Sequence, residues 1–395
     1  MVIQQGLTAN LTFVCAPHKK LRSLSNRRPR SGICHLQSRS QHTATVSYQL
    51  YMRSAGSSPS IDERVLDALS GRSVVVTGGS GLIGRALVEQ LQECNSEVVL
   101  LSRQPNRARD MFSPRTGAMP RALVYDAEPD EPVSDSVFEA IGQADAIINL
   151  AGEPVEDGRW TASRKQILYN SRVNGTRKLV DAVRKHRSNA VLINASAVGY
   201  YGPSASKVFT EKCKAGSDYL ATIAMNWEQA ALANTNQSRT TVFRFGVVLG
   251  NGGGALPKMS TAFRAFLGGP PGGGEQWFSW VHIEDVVRLL LHATVDTKWN
   301  GVYNATAPQP VRLAEFCQEL GKALGRPSWL PVPKQAIQAL LGNEAAQLIL
   351  AGQQVLPKRT RENGFVFKYK DVATALQQLT GSRSGELLEM RRDCR

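Results

Sequence analysis

The chain has 395 residues and a formal net charge of +14. The charge is unevenly spread: residues 1–61 hold eight Lys and Arg but no Asp or Glu, whereas 39 Lys and Arg face 33 Asp and Glu in the rest. The remainder therefore carries only +6, which requires no nucleic-acid partner, and no later apolar run is long enough to predict a membrane-spanning helix. The six cysteines form no C-x-x-C pair, so we expect neither a metal site nor a disulfide framework.

Residues 1–65 are predicted to be a targeting segment outside the fold. They begin with the acid-free stretch and are rich in Arg and Ser, a composition typical of organelle transit peptides. A disordered basic arm that binds nucleic acid is the alternative. The position of the segment, ahead of an enzyme-like fold, favours import.

A glycine-rich turn follows the first predicted strand. The β-branched residues 74–76 lead into three glycines spaced G-x-x-G-x-x-G, and an amphipathic helical pattern starts at once. The first glycine permits a tight turn, the second lets a phosphate approach the backbone, and the third lets helix and strand pack closely. We therefore predict a dinucleotide-binding turn, with a turn that binds no ligand as the alternative. Its residues are Thr77, Gly78, Gly79, Ser80, Gly81, Leu82, Ile83 and Gly84.

Strands and helices alternate after this turn. The further predicted strands are 97–102, 122–125, 144–150, 190–195 and 240–245, and the predicted helices include 163–185, 219–233, 255–267 and 311–324. Parallel strands joined by helices imply a Rossmann α/β fold, a doubly wound sheet with ligands at the carboxyl ends of its strands.

The chain is predicted to have two lobes. We expect a dinucleotide-binding Rossmann domain at 73–250, with parts of 276–310. A smaller mixed α/β substrate lobe at 251–380 and a tail at 381–395 follow. The cleft between the lobes is the expected place for a substrate.

Several motifs resemble those of extended short-chain dehydrogenases/reductases. They are T-G-G-S-G-L-I-G at 77–84, N-L-A-G at 149–152, V-N-G-T at 173–176 and W-V-H-I-E-D at 280–285. Longer stretches, among them 194–202, 226–228 and 356–359, are similar to the atypical epimerase-like family, NAD(P)-binding sugar nucleotide epimerase-like proteins with a C-terminal domain of their own. The resemblance implies an NAD(P) cofactor, and plastid and cyanobacterial relatives are often labelled cell-division-inhibitor-like.

The end of the second strand bears on the choice between NAD and NADP. An acidic residue there would bind the ribose 2′-hydroxyl, but the sequence has Ser102 and Arg103, whose planar guanidinium suits a 2′-phosphate. We therefore expect NADP(H) rather than NAD(H), with a solvated surface charge as the alternative for Arg103. The resemblance adds further cofactor-binding candidates. They are Asp126, which would accept from the adenine amino group or serve only as a loop carboxylate, and Leu150, Ala151, Gly152, Glu153 and Asn174.

The catalytic set of the resembled group is incomplete in this chain. Its members use a Tyr four residues before a Lys, with a Ser or Thr as partner, and Ser196 lies where that partner belongs. No Tyr-x-x-x-Lys occurs, and Tyr219, where the pair is expected, is followed four residues later by an isoleucine. Either another donor serves, or the site binds the cofactor without ordinary turnover. Tyr200 and Tyr201 are the candidate donors; Glu228 could also act, although packing or capping is its expected role.

Further candidates lie near the predicted cleft. Arg244, at the end of the sixth strand, would either hold an anionic substrate or pair with a carboxylate. A lid with aromatic contacts is predicted after a glycine-rich loop, with a core role for its tryptophans as the alternative. The lid candidates are Gln276, Trp277 and Trp280. His282 and Asp285 form a His–Asp pair that would suit a catalytic base, but for His282 the resemblance implies instead a structural hydrogen bond that anchors its segment.

Two functions remain open. The first is an NADP(H)-dependent oxidoreductase or epimerase acting on a small-molecule substrate. The second is a catalytically weak or inactive nucleotide-binding protein with a regulatory or scaffolding role. A protein partner or a homodimer is compatible with both. The resemblance to plastid proteins favours the chloroplast stroma over the mitochondrion.

Overall fold

The chain is represented by a computed structural model that describes residues 61–381, apart from 115–117, 127, 129, 130, 157, 187 and 235–237. The predicted leader up to residue 60 and the tail from residue 382 lie outside the described residues. Helix α1 (Ile61–Leu69) buries Val65 and Leu69, one helical turn apart, in the central core. The folded part of the chain therefore includes residues 61–65, which we assign from the sequence to the leader.

A seven-stranded parallel sheet confirms the predicted doubly wound α/β class. Its strands are β1 (Ser73–Thr77), β2 (Glu97–Ser102), β3 (Arg121–Val124), β4 (Ala146–Asn149), β5 (Val191–Ala197), β6 (Thr240–Phe245) and β7 (Gly301–Ala305). They lie in the order β7-β6-β5-β4-β1-β2-β3, so β1 sits between β2 and β4. The strand order reverses beside β1, and in such sheets the ligand crevice opens at that point.

Helices cover both faces of the sheet and continue into the smaller lobe. After α1 they are α2 (Leu82–Glu93), α3 (Pro105–Arg109), α4 (Asp135–Gln143), α5 (Ala162–Tyr169), α6 (Gly175–Lys185), α7 (Tyr219–Leu232), α8 (Ala255–Arg264), α9 (Ile283–Val295), α10 (Leu313–Leu324), α11 (Lys334–Leu341), α12 (Asn343–Leu350), α13 (Lys358–Glu362) and α14 (Val372–Thr380).

In β1, Val74 and Val76 pack into one core and Val75 into the other. Because side chains alternate along a strand, a strand covered on both faces needs this unbroken apolar run.

The predicted helix 163–185 contains a wider turn. Helices α5 and α6 are joined without a break by a π-helical segment, Asn170–Asn174. Within it the side-chain amide of Asn174 donates to Asn170 Oδ1 at 2.9 Å. Insertions of this kind occur frequently at functional sites, and this one places the candidate Asn174 at the start of α6.

The smaller lobe has a core of its own, which includes Phe263, Phe316 and Leu376. The predicted helix 311–324 starts two residues later, because Val311–Arg312 pairs as an antiparallel strand with Trp277–Phe278. Within the described residues, no helix combines the length and apolarity needed to cross a membrane.

Candidate functional site

The turn between β1 and α2 is shaped by its glycines. Gly78 has a φ of +68°, and a Cβ there would lie 2.6 Å from the backbone carbonyl carbon of Leu150. A Cβ at Gly84 would overlap the carbonyl oxygen of Gly78, so no other residue permits this approach of α2 to β1. Gly81, the N-cap of α2, offers no side chain to the first amides of the helix. Those amides are therefore available to an anion.

A buried polar network supports the strand ends beside this turn. Thr77 Oγ1 donates to Asn149 Oδ1 at 2.6 Å, and the Asn149 amide donates to Asn194 Oδ1 at 2.6 Å and to Thr176 Oγ1 at 2.8 Å. The indole of Trp227 also donates to Thr176, at 2.9 Å. Because every group is paired, the network fixes the ends of β1, β4 and β5 relative to one another.

The segment after β4 is tied to β1 by its backbone. The amides of Leu150 and Ala151 donate to the Thr77 carbonyl oxygen and Oγ1, at 3.2 and 3.3 Å. A Cβ at Gly152 would lie 3.1 Å from the guanidinium carbon of Arg172. The predicted cofactor residues on this segment therefore lie directly beside the glycine-rich turn.

Arg103 and Glu153 form an ion pair, with Nη2 and Oε1 2.7 Å apart. Arg103 follows β2 and Glu153 follows β4, so the pair joins the two strand ends that flank β1. Arg164 lies 3.6 Å from the other carboxylate oxygen of Glu153. The Arg103 side chain is 67% exposed, whereas that of its partner Glu153 is only 22% exposed. The guanidinium therefore faces solvent while it is paired with a mostly buried carboxylate.

The other predicted cofactor residues make local hydrogen bonds at the same edge of the sheet. Ser102 Oγ accepts the backbone amide of Gln104 at 3.1 Å. The Asp126 carboxylate accepts the amide of Glu128 at 3.0 Å, while its carbonyl oxygen accepts from Lys178 Nζ at 2.6 Å. These contacts order the loops after β2 and β3, and the assignment of their side chains to a cofactor stays a prediction.

Ser196, Glu228 and Arg244 form a buried cluster. Ser196 Oγ donates to Glu228 Oε1 at 2.6 Å, and Arg244 donates to both carboxylate oxygens, through Nε at 2.7 Å and Nη2 at 2.6 Å. Ser196 and Arg244 are register partners on β5 and β6, and Glu228 reaches them from α7. Burial by itself would lower the pKa of Arg244, but hydrogen bonding to Glu228 and its charge outweigh burial and raise that pKa. Of the two roles considered for Arg244, pairing with a carboxylate is the one present.

The two candidate tyrosines contact the same arginine. Tyr201 Oη donates to Asn304 Oδ1 at 2.7 Å and accepts from Arg244 Nη1 at 2.9 Å. Burial raises the pKa of Tyr201 to about 12, despite the opposing charge of Arg244. The Arg244 guanidinium carbon lies 3.4 Å from the ring centre of Tyr200. Tyr201 is therefore a weaker acid than a free tyrosine, and its hydroxyl already both donates and accepts a hydrogen bond. The catalytic roles of Ser196, Tyr200 and Tyr201 stay predictions.

Tyr219 has a lysine neighbour that sequence spacing does not reveal. Lys165 Nζ, from α5, lies 5.0 Å from the centre of the Tyr219 ring, and Tyr219 Oη donates to the Lys165 carbonyl oxygen at 2.6 Å. The lysine is paired with Glu344 of α12 at 2.5 Å. Burial raises the pKa of Tyr219. The pair therefore joins α5 and α7 to Glu344 of the smaller lobe.

His282 and Asp285 anchor the C-terminal segment through different partners. His282 Nε2 is hydrogen-bonded to Gln378 Oε1 at 3.0 Å, and its ring stacks on Tyr369 with centres 3.7 Å apart. Asp285 accepts the amides of Lys368 and Tyr369, at 2.8 and 2.9 Å. Burial lowers the pKa of His282, which favours a neutral ring.

The predicted lid residues differ in burial. Trp280 is fully buried, and its indole donates to the carbonyl oxygen of Gln309 at 3.0 Å, as a core residue would. Trp277 is partly exposed; its indole donates to the Ala205 carbonyl oxygen at 3.0 Å. Gln276 Nε2 donates to the carbonyl oxygen of Ile349 at 2.7 Å. Trp277 thus connects its segment to the loop after β5, and Gln276 connects it to the end of α12.

Comparison with known proteins extends these observations. Residues 74–305 match the NAD dependent epimerase/dehydratase family, and residues 332–379 match a domain of unknown function, DUF1731. The chain is 44% identical over 310 residues to an Arabidopsis thaliana protein named Epimerase family protein SDR39U1 homolog, chloroplastic, covering 78% of this chain and 86% of the relative. It is 35% identical to Epimerase family protein YfhF of Bacillus subtilis over 314 residues, which is 79% of this chain and 99% of the relative.

A solved structure agrees in fold. The crystal structure of human epimerase family protein SDR39U1 (isoform 2) with NADPH superimposes with a TM-score of 0.69 at 33% identity, over 78% of this chain and 99% of the human one. Sequence and fold together confirm the resemblance drawn from the motifs. The chain belongs to the NAD dependent epimerase/dehydratase family.

Proposed function

We propose that the protein binds NADP(H) and acts as an oxidoreductase or epimerase of the extended short-chain dehydrogenase type. The observation that carries the proposal is the glycine-shaped turn after β1, with Arg103 at the end of the neighbouring strand. Uncapped amides at a helix N-terminus suit a pyrophosphate, and a guanidinium suits the 2′-phosphate that distinguishes NADP from NAD. The NADPH in the human structure supports the same choice.

The cofactor would be held by residues at four strand ends. The first amides of α2 would bind the pyrophosphate, Ser102 and Arg103 the 2′-phosphate, and Asp126 the adenine. The backbone of 150–152 and the side chain of Asn174 would complete the site. Bound there, NADP(H) supplies a hydride donor or acceptor at its nicotinamide ring.

Ser196 is the residue that we assign to the substrate oxygen. It lies at the carboxyl end of β5 and gives its proton to Glu228, so its oxygen retains lone pairs that accept from a substrate hydroxyl. Glu228, clamped by Arg244, positions Ser196 without touching the substrate. Since the hydroxyl of Tyr201 is engaged on both sides, we assign the proton-donor role to Tyr200, and Tyr201 positions Arg244.

Binding and turnover test separate parts of this proposal. Purified protein should bind NADPH more tightly than NADH in a fluorescence titration, and it should oxidise NADPH with a member of a carbonyl panel or interconvert a sugar nucleotide. Ser196→Ala should retain NADPH binding and lose turnover, whereas Ser136→Ala, an exposed change on α4, should retain both. Failure to bind either nucleotide would overturn the proposal.

A second candidate is a nucleotide-binding regulatory protein without turnover. The observation that favours it is that the hydroxyl protons of both Ser196 and Tyr201 are already donated within the protein. Tight NADPH binding, no turnover on any panel and a partner captured only with nucleotide would together support this candidate over the enzyme.

We further propose that the protein is imported into the plastid stroma. The acid-free leader supports a transit peptide, and the Arabidopsis relative is named chloroplastic. Residues 1–60 fused to a fluorescent protein should direct it into chloroplasts of a plant cell. Fluorescence in mitochondria or in the cytosol would contradict the assignment.

A further inference from the structure

The Arg103–Glu153 ion pair joins the two strand ends on either side of β1, next to the turn at which the proposed cofactor would bind. Arg103 stands one residue beyond β2 and Glu153 four residues beyond β4, while β1 runs between those two strands. The 2.7 Å contact between the side chains therefore spans the carboxyl end of β1, where the glycine-rich turn begins. A dinucleotide bound at this turn would therefore lie beside the pair.

Glu153 is the fixed member of the pair. Its amide donates to Ser171 Oγ at 3.2 Å, its carbonyl oxygen accepts from Arg172 Nη2 at 2.9 Å, and its carboxylate has Arg164 as a second cation. Its side chain is 22% exposed, against 67% for Arg103. Arg103 can therefore leave the carboxylate by moving through solvent, whereas Glu153 stays in place.

We propose that the Glu153 carboxylate competes with the 2′-phosphate of NADP(H) for the guanidinium of Arg103. Without cofactor, its carboxylate holds the guanidinium; the 2′-phosphate of NADP(H) takes the guanidinium over, because both anions offer the paired oxygens that arginine binds. The inference rests on the proposed NADP(H) binding and deepens it, since it gives Glu153 control over affinity and selectivity. NADH has no 2′-phosphate, so it gains nothing from releasing Arg103.

The test is a fluorescence titration of the full chain with NADPH and NADH. Glu153→Gln keeps the shape of the side chain and removes the competing charge. Because partly exposed ion pairs contribute little, NADPH should bind about two- to fivefold more tightly to this variant, with a smaller change for NADH. Glu156→Gln is the matched control, since Glu156 forms its ion pair with Lys258, at 3.4 Å, and not with Arg103. This variant should change the affinity for neither NADPH nor NADH.

A second background makes the result specific to Arg103. In Arg103→Gln the preference for NADPH over NADH should fall, and adding Glu153→Gln should bring no further gain for NADPH. A gain that persists without Arg103 would overturn the inference, because the carboxylate would then act by repelling the cofactor directly. Weaker or unchanged NADPH binding to Glu153→Gln would also overturn it while leaving the proposed function standing. Absence of binding to the unmodified protein would instead remove the proposed function itself.

Discussion

Arg244→Met should destabilise the protein strongly, because it leaves the Glu228 carboxylate buried without its cation. Glu228 is only 4% exposed and receives two hydrogen bonds from Arg244, at 2.7 and 2.6 Å. Removing one partner of a buried pair costs about 3–5 kcal/mol, whereas a surface pair contributes about 0–1 kcal/mol. Since both side chains are nearly inaccessible, we expect the larger range.

Urea unfolding followed by tryptophan fluorescence measures this cost. Lys258→Met, which removes the exposed partner of Glu156, is the matched control and should cost no more than about 1 kcal/mol. Replacing Glu228 with leucine in the Arg244→Met background should restore more than half of the loss, because apolar pairs often substitute for buried ions. A cost for Arg244→Met within the control range would refute the argument that this charge pair is desolvated.

Two further predictions concern cofactor binding and pH. Gly81→Ala adds a Cβ 3.3 Å from the Gly78 carbonyl oxygen, beside the first amides of α2. The NADPH affinity measured by titration should fall roughly tenfold, with little change in the free energy of unfolding. Gly142→Ala on α4 is the control and should leave the NADPH affinity unchanged. Because burial lowers the pKa of His282, the folded chain binds that proton less tightly than the unfolded chain, in which histidine titrates near about 6.5. The stability from this group is therefore complete above that pH and is lost as the pH falls below it. His282→Gln should flatten the change in unfolding free energy between about pH 7 and pH 5; a slope equal to that of the unmodified protein would contradict the assignment.

The fold was predictable because its signals are local. An unbroken valine run such as 74–76 predicts a strand covered on both faces, and a glycine-rich turn followed by a helical pattern predicts the first crossover. The deviations arise where tertiary contacts compete with local preference. Val311 and Arg312 join a strand pair rather than the helix that follows, and 170–174 widens into a π-helical turn within a sequence that reads as one helix.

The candidate site was predictable only in part, because its partners are distant in the sequence. The turn residues are contiguous and could be identified together. Ser196, Glu228 and Arg244 come from β5, α7 and β6, so their hydrogen bonds follow from strand register and helix packing rather than from spacing. The same applies to Lys165, which lies beside Tyr219 although it belongs to another helix and precedes Tyr219 by 54 residues.

The buried cluster also connects the C-terminal lobe to the proposed substrate position. Tyr201, which contacts Arg244, donates to the side chain of Asn304 on β7, and that side chain in turn donates to the carbonyl oxygen of Leu356 at 3.0 Å. Leu356 lies within the region that matches DUF1731. A displacement of this segment would therefore act on Asn304 and Tyr201 before it reached Arg244. Since Arg244 holds the Glu228 carboxylate to which Ser196 donates, one chain of hydrogen bonds links the region that matches DUF1731 to the proposed substrate position.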